Sequence, residues 1–145
     1  MLVVAALLVK EDRLLIARRA PGESLAGQWE FPGGKVRAQE RPEAALAREL
    51  DEEFGIRVRT GAFFGESLHH YRHALVRLWA YWARWRTGHI RLSVHDRYAW
   101  VGIDDLGRYC FAEADVPFIR ALEEQSQRDD SVLKKAPAEV LPRCT

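Results

Sequence analysis

The chain opens on an unbroken apolar run, residues 2–9, closed by Lys10, Glu11 and Asp12. Such a run suits a strand covered on both faces and falls far short of a membrane span. It also lacks a basic leader and a cleavage pattern, so it does not read as a signal peptide. Residues 14–17 read as its hairpin partner. Residues 18–28 are polar and contain Pro21, Gly22 and Gly27, the marks of a loop. Residues 30–31 read as a short extended piece, and Gly33 and Gly34 permit a close backbone approach or a positive φ. At Pro42 the period changes. Leu46, Ala47, Leu50 and Phe54 recur at helical spacing, so residues 42–54 are predicted to form an amphipathic helix. Pro42 suits its first position, Glu43 its positive N-terminal end and Gly55 its stop, while Arg41 is a poor N-cap.

Beyond the helix, residues 56–68 read as a strand bent near Gly61 and Gly65. Residues 75–85 form a second long strand rich in Trp and Tyr, and residues 98–101 a short one. Strand alternation places Trp79 and Trp85 on one side and Trp82 on the other, as packing residues. Residues 115–124 are predicted helical, with Val116, Ile119 and Leu122 as the apolar stripe. From about Ser126 the sequence turns charged, carries Pro137 and Pro142 and shows no sustained period. The domain is therefore placed at residues 1–127, and residues 128–145 are expected to be a mobile tail. Strands, helix, strands and helix in that order give a mixed α/β domain with helices flanking the sheet.

Composition changes this picture little. A chain of 145 residues, 48% hydrophobic and 30% charged, suits one globular domain. The net charge of +1 supplies no bulk field for duplex nucleic acid or a membrane surface. Cys110 and Cys144 are far apart, match no metal-ligand spacing and are expected to be reduced thiols of a cytoplasmic protein. His69, His70 and His73 cluster at a hairpin-like join, where a zinc site is the minor alternative to a plain turn.

The distribution of charge is more informative. Glu49, Glu52 and Glu53 stand at i, i+3 and i+4 and share one helix face, spanning roughly 6 Å. Like charges so placed repel by about 0.2–0.5 kcal/mol per pair unless a cation sits against them. A solvated acidic face is the plain alternative. A pile of carboxylates also suits Mg²⁺, which takes oxygen ligands, keeps several waters and bridges phosphate oxygens. Arginines elsewhere, Arg18 and Arg19 among them, could neutralise the same phosphate from a second side.

The wider spacing decides between these readings. Gly34, Glu40, Arg48, Glu49, Leu50, Glu52, Glu53, Gly55 and Ile56 match every defined position of the Nudix box. The preceding Trp29, Glu30, Phe31, Pro32, Gly33, Gly34 and Lys35 resemble the run of the MutT-like and cytidine-nucleotide pyrophosphohydrolase-like branch. The resemblance extends more loosely over residues 3–124. It implies the Nudix α/β/α sandwich with a mixed sheet. It also implies a Mg²⁺-dependent hydrolase, with Mn²⁺ as a substitute ion, cleaving a nucleoside triphosphate to the monophosphate and pyrophosphate. Oxidised nucleotides such as 8-oxo-dGTP, or cytidine nucleotides, are the implied substrates, with nucleotide pool sanitisation as the role.

The resemblance also implies the site residues. Arg48, Glu49, Glu52 and Glu53 form the catalytic set, and Glu49, Glu52, Glu53 and the Gly33 carbonyl the metal ligands. Glu49 or Glu52 is the alternative water-orienting group. Arg48 is expected to brace a box carboxylate, and Glu40 either to join the metal sphere or to bond the box backbone. Arg19 aligns with an arginine that contacts substrate phosphates, Phe31 and Tyr71 with aromatics of the base pocket, and Asp115 with a residue that bonds the base. Arg19, Phe31 and Asp115 each have a plainer alternative: a surface arginine, a core side chain, an N-cap.

One position departs from the pattern. Many MutT-like sequences carry a glutamate six residues before the tryptophan matched by Trp100, and here Val94 stands there, followed by His95 and Asp96. Either Asp96 replaces that carboxylate or the box glutamates act without it, and His95 is expected to pack the loop. Two other functions stay open: a Nudix hydrolase of dinucleoside polyphosphates, and a non-catalytic module that binds a modified nucleotide. The latter typically loses box carboxylates, which this chain keeps.

Overall fold

A computed structural model describes residues 1–128. All but the first residue of the expected tail, with Cys144, lies outside the described residues. The strands are β1 (Leu2–Lys10), β2 (Arg13–Arg19), β3 (Trp29–Glu30), β4 (Gly33–Lys35), β5 (Ile56–Tyr71), β6 (Ala74–Gly88) and β7 (His95–Val101). The helices are α1 (Pro42–Phe54) and α2 (Val116–Arg128), and two 3-10 segments cover Ile103–Arg108 and Glu113–Asp115. The sheet runs β3-β2-β1-β6-β5, with β4 paired to β1 and β7 to β2. β1 and β6 lie parallel, and the other named strand pairs are antiparallel.

The apolar run of β1 is the centre of this sheet, and its alternation builds both cores. Val4, Ala6 and Leu8 pack with Leu46, Leu50 and Phe54 of α1. Ala5 and Leu7 pack with Phe118, Ile119 and Leu122 of α2. The sheet is thus sandwiched between the two helices, as the expected fold requires. Trp82 joins the α2 side, while Trp79 and Trp85 join the α1 side. Leu46, Leu50 and Phe54 are fully buried, so the apolar stripe of α1 fixes which face carries the glutamates.

α1 spans the predicted residues. Arg41 makes no side-chain cap bond, and Gly55 takes the left-handed conformation at φ +68° with its N–H on the Asp51 carbonyl. The bend expected in β5 appears as register shifts between Thr60 and Phe63 and between Phe63 and Gly65. β2, β5 and β6 run longer than expected and β3 covers Trp29–Glu30 rather than residues 30–31; three further boundaries differ. β7 begins at His95, because β2 holds it across a bulge that sets Arg19 opposite His95; the exposed Asp96, Arg97 and Tyr98 hide that pairing from a periodicity argument. α2 begins after Asp115, which closes the preceding 3-10 turn through its N–H to the Ala112 carbonyl. α2 also continues to Arg128, past its apolar stripe.

No helix among the described residues is long and apolar enough to cross a membrane.

Candidate active site

β1 pairs with β2 only near their hairpin, at Val9 with Leu14 and Lys10 with Arg13. Toward its start β1 pairs instead with β4, Val4 opposite Gly34 and Ala5 opposite Gly33. A cleft of 620 Å³ lies beside this junction. Among its lining residues are Arg19, Glu30, Phe31, Gly33, Gly34, Glu49, Glu53, Tyr71 and Asp115. Seven of the sequence-predicted site residues therefore share one concavity. A larger surface concavity of 1180 Å³, against β5, β6 and the β1–β2 turn, holds none of them.

The two glycines make this approach possible. A Cβ at Gly33 would stand 1.8 Å from the Val4 carbonyl oxygen, and one at Gly34 would stand 2.3 Å from the Glu49 carboxyl carbon. β4 can therefore pass between β1 and the α1 glutamates only without side chains at these two positions.

Arg48 is the brace of the acidic face. Its Nε and Nη2 donate to the two oxygens of Glu40 at 2.7 and 2.9 Å, a bidentate pair. Nη1 donates to Glu49 at 2.8 Å and Glu52 at 3.2 Å, and Nη2 also to the Lys35 carbonyl at 2.9 Å. Glu40 further accepts the Arg37 N–H at 3.0 Å. These bonds, those from Arg48 foremost, pull the Glu40 carboxyl down to about 2. Glu40 thus bonds the box backbone at Arg37, one of the two roles open for it, and is held at the same time by Arg48.

The three box glutamates differ in setting. Glu49 is pressed between Arg48 and Gly34. Glu53 lines the cleft with a buried Oε2 that has no hydrogen-bond partner. Burial pushes its carboxyl up to about 8, reinforced by the neighbouring charges of Glu49 and Glu30 and opposed by Arg19. Glu52 stands at the rim, its side chain 49% exposed, between Arg48 and Arg37, and is not among the residues lining the cleft.

No group of three or more His, Cys, Asp or Glu side chains among the described residues is drawn together tightly enough to hold a metal ion as it stands. Arg48 engages two of the carboxylates, and like charges spread when nothing lies between them. The donor set nonetheless fits a hard cation: oxygen ligands only, one of them an unpartnered buried carboxylate oxygen beside a second carboxylate.

The substrate-side residues are positioned by three elements. Phe31 is 3% exposed and packs 5.4 Å from Phe111, so it is both core residue and cleft wall. The Tyr71 hydroxyl accepts the Ala114 N–H at 3.1 Å, tying the end of β5 to the turn that carries Asp115. Asp115 is buried, and burial foremost, then the charge of Glu30, raises its carboxyl well above the usual range; a hydrogen bond from the Phe31 backbone opposes this. Arg19 donates to the Ser24 carbonyl at 3.0 Å and to Glu30 at 3.5 Å.

The late segment resolves the Val94 departure. Asp96 forms a bidentate pair with Arg18 at 2.8 and 2.7 Å and is not among the cleft-lining residues, so it does not supply the missing carboxylate. His95 does more than pack the loop: its Nε2 lies 2.8 Å from Glu30 Oε2. Glu30 is a charged cleft residue to which sequence reasoning assigned no role. The signal available was its place inside the Trp29–Lys35 run; its partner, 65 positions away, was not legible. Of the join histidines, His69 pairs with Glu113 at 2.8 Å.

Comparisons with known proteins identify the family. Residues 3–121 match the model of the NUDIX domain. The chain is 32% identical over 119 residues to the CTP pyrophosphohydrolase of Escherichia coli K12, covering 82% of this chain and 88% of the relative. It is 28% identical over 123 residues to the 8-oxo-dGTP diphosphatase of Buchnera aphidicola subsp. Schizaphis graminum, covering 84% and 92%. The crystal structure of MutT protein from Methanosarcina mazei Go1 superposes with a TM-score of 0.79 at 27% identity, covering 88% of this chain and 95% of that one. A matched domain model, a relative sharing most of both lengths and a common sandwich place the chain in the NUDIX domain family, as a Nudix hydrolase.

Proposed function

We propose that the protein is a Mg²⁺-dependent nucleoside triphosphate pyrophosphohydrolase that releases pyrophosphate and leaves the monophosphate. The observation that carries this reading is a single cleft lined by Glu49, Glu53, Gly33, Arg19, Phe31, Tyr71 and Asp115. Carboxylates for a cation, an arginine for phosphate and aromatics with a base-reading acid are the parts such a reaction needs.

Glu49, Glu53 and the Gly33 carbonyl, with Glu52 from the rim, would hold the ion. When bound, Mg²⁺ would neutralise phosphate charge and acidify a bound water. Arg48 keeps Glu49 and Glu52 oriented by donating to both. Arg19 offers a cation to the phosphates while Ser24 and Glu30 fix its guanidinium. Burial raises the Glu53 carboxyl to about 8 in the metal-free cleft, so a bound cation would be needed to hold it ionised, and Glu49 or Glu52 is the group left to orient the water.

Asp115 governs the base. Burial favours the neutral form of this carboxyl, and that form presents one O–H donor and one carbonyl acceptor. That is the hydrogen-bonding pattern of an asparagine. Cytosine and 8-oxoguanine both offer a neighbouring donor and acceptor to such a group, so CTP, dCTP and 8-oxo-dGTP are the leading substrates.

The test is a nucleotide panel with Mg²⁺, read as pyrophosphate release. Turnover of a cytidine or oxidised guanine nucleotide supports the reading. Preferential cleavage of a dinucleoside polyphosphate would replace it with the diphosphate-X alternative. Tight binding of a modified nucleotide without turnover would replace it with the binding module.

A further inference from the structure

The segment before β7 lacks its family's carboxylate, and the structure puts a histidine to use beside that gap. The His95 side chain is 0% exposed and stacks on Phe54 at 4.9 Å and 26°. Phe54 directly follows Glu53. The His95 Nε2 lies 2.8 Å from Glu30 Oε2, and Arg19 Nη1 lies 3.5 Å from the same oxygen. A carboxylate accepts, which assigns the proton to Nε2 and leaves Nδ1 buried with no partner. A buried orphan nitrogen disfavours the fold, and phenylalanine would stack on Phe54 without it. Packing alone therefore gives no account of a histidine at 95. Its bond to Glu30 does.

Glu30 itself is not spent on the fold. It lines the cleft, its side chain 18% exposed, with one oxygen held from two sides. It shares that cleft with Glu49 and Glu53 of the acidic face and with Asp115.

We propose that His95 and Glu30 form a clamped dyad in which Glu30 is a positioning residue for the metal-and-phosphate part of the cleft, taking over from the late-segment carboxylate that Val94 lacks. The inference rests on reading the cleft as a divalent-metal phosphate site. The clamp matters because an unheld glutamate samples several rotamers, whereas two donors on one oxygen fix the carboxylate plane. The task has thus moved from the late segment to β3, and the late segment keeps only the donor that steadies it.

The test uses the full chain and has a readout that needs no turnover. Mn²⁺ affinity is measured from the free-ion electron paramagnetic resonance signal for wild type, Glu30→Gln, His95→Phe, His95→Gln and the double variant Glu30→Gln/His95→Phe. Thermal melts establish that each is folded, and kcat and KM are measured in parallel. Glu30→Gln and His95→Phe are each expected to weaken Mn²⁺ binding about 10- to 100-fold, and to lower kcat comparably with KM changed less than about threefold. His95→Gln, whose amide N–H can take the place of Nε2–H, is expected to recover most of both. The double variant is expected to match Glu30→Gln within about twofold, because the two residues act as one unit. Unchanged Mn²⁺ affinity in Glu30→Gln overturns the proposal. So do multiplying effects in the double variant, or a His95→Gln no better than His95→Phe. If His95→Phe does not fold, Glu30→Gln against His95→Gln decides. Should wild type bind Mn²⁺ but cleave no nucleotide, the substrate reading fails while the dyad is judged on Mn²⁺ alone. A wild type that binds no Mn²⁺ overturns both.

Discussion

Replacing Glu53 by glutamine is expected to stabilise the metal-free protein at alkaline pH while destroying its activity. The carboxyl moves from an ordinary 4.5 to about 8, chiefly through burial. Taken in full, such a displacement corresponds to nearly 5 kcal/mol. Glu53 keeps partial contact with solvent, which screens much of this, so about 1–2 kcal/mol remains. The sign follows from proton binding. Between pH 4.5 and about 8 the folded state holds the proton more tightly than the unfolded chain, so stability falls as pH rises through that window. Below it the two states are equally protonated and the penalty is absent. Glu53→Gln removes the penalty and keeps the side-chain shape. Urea unfolding with a chelator present should therefore show equal stabilities near pH 4.5. Near pH 9 the variant should lead by about 1–2 kcal/mol, a melting shift of a few degrees. Turnover with Mg²⁺ should fall by at least about a hundredfold, a few kcal/mol of barrier. A variant less stable than wild type near pH 9 would refute the burial argument, and intact turnover would refute the assignment of Glu53 to the site.

Three further outcomes follow from the geometry. Gly34→Ala puts a Cβ 2.3 Å from the Glu49 carboxyl, the movable end of a side chain, so the fold should survive with a melting temperature within a few degrees while turnover drops about tenfold or more. Leu50→Ala empties a fully buried site under the acidic face and should cost about 3 kcal/mol in denaturant unfolding. Asp115→Asn reproduces the donor and acceptor of a neutral carboxyl and should hold KM within about threefold at pH 7, whereas Asp115→Ala should raise it about tenfold, the loss of roughly one hydrogen bond; equal KM values for the two variants would contradict a base-reading role.

What could be read in advance was what depends on local period and fixed spacing. The apolar stripe of α1 and Gly55 set that helix to the residue, and the alternation of β6 sorted its tryptophans onto the correct faces. The box spacing and its flanking run named Arg19, Phe31, Gly33, Glu49, Glu53, Tyr71 and Asp115, which share the cleft. What escaped was set by distant contacts. The start of β7 depends on a bulge in β2, and the two helical turns between β7 and α2 have no strong period of their own. Glu52 looked equivalent to Glu49 and Glu53 on a helical wheel, yet it sits at the rim because Arg48 and Arg37 hold it there. Asp96 was open as a replacement carboxylate until Arg18, 78 positions away, turned out to hold it. His95 points inward because side chains alternate along β7, and only the fold brings Glu30 to meet it.

The central claim is that one cleft joins a divalent ion, an oligophosphate and a base. Its most direct test is pyrophosphate release by the purified protein from CTP, dCTP, 8-oxo-dGTP and the ordinary nucleotides, with Mg²⁺ and with chelator, beside Glu53→Gln. The account expects pyrophosphate and monophosphate from a cytidine or oxidised guanine nucleotide, abolished by chelation and reduced at least about a hundredfold in the variant. Release that persists without the ion, or that Glu53→Gln leaves untouched, would contradict it.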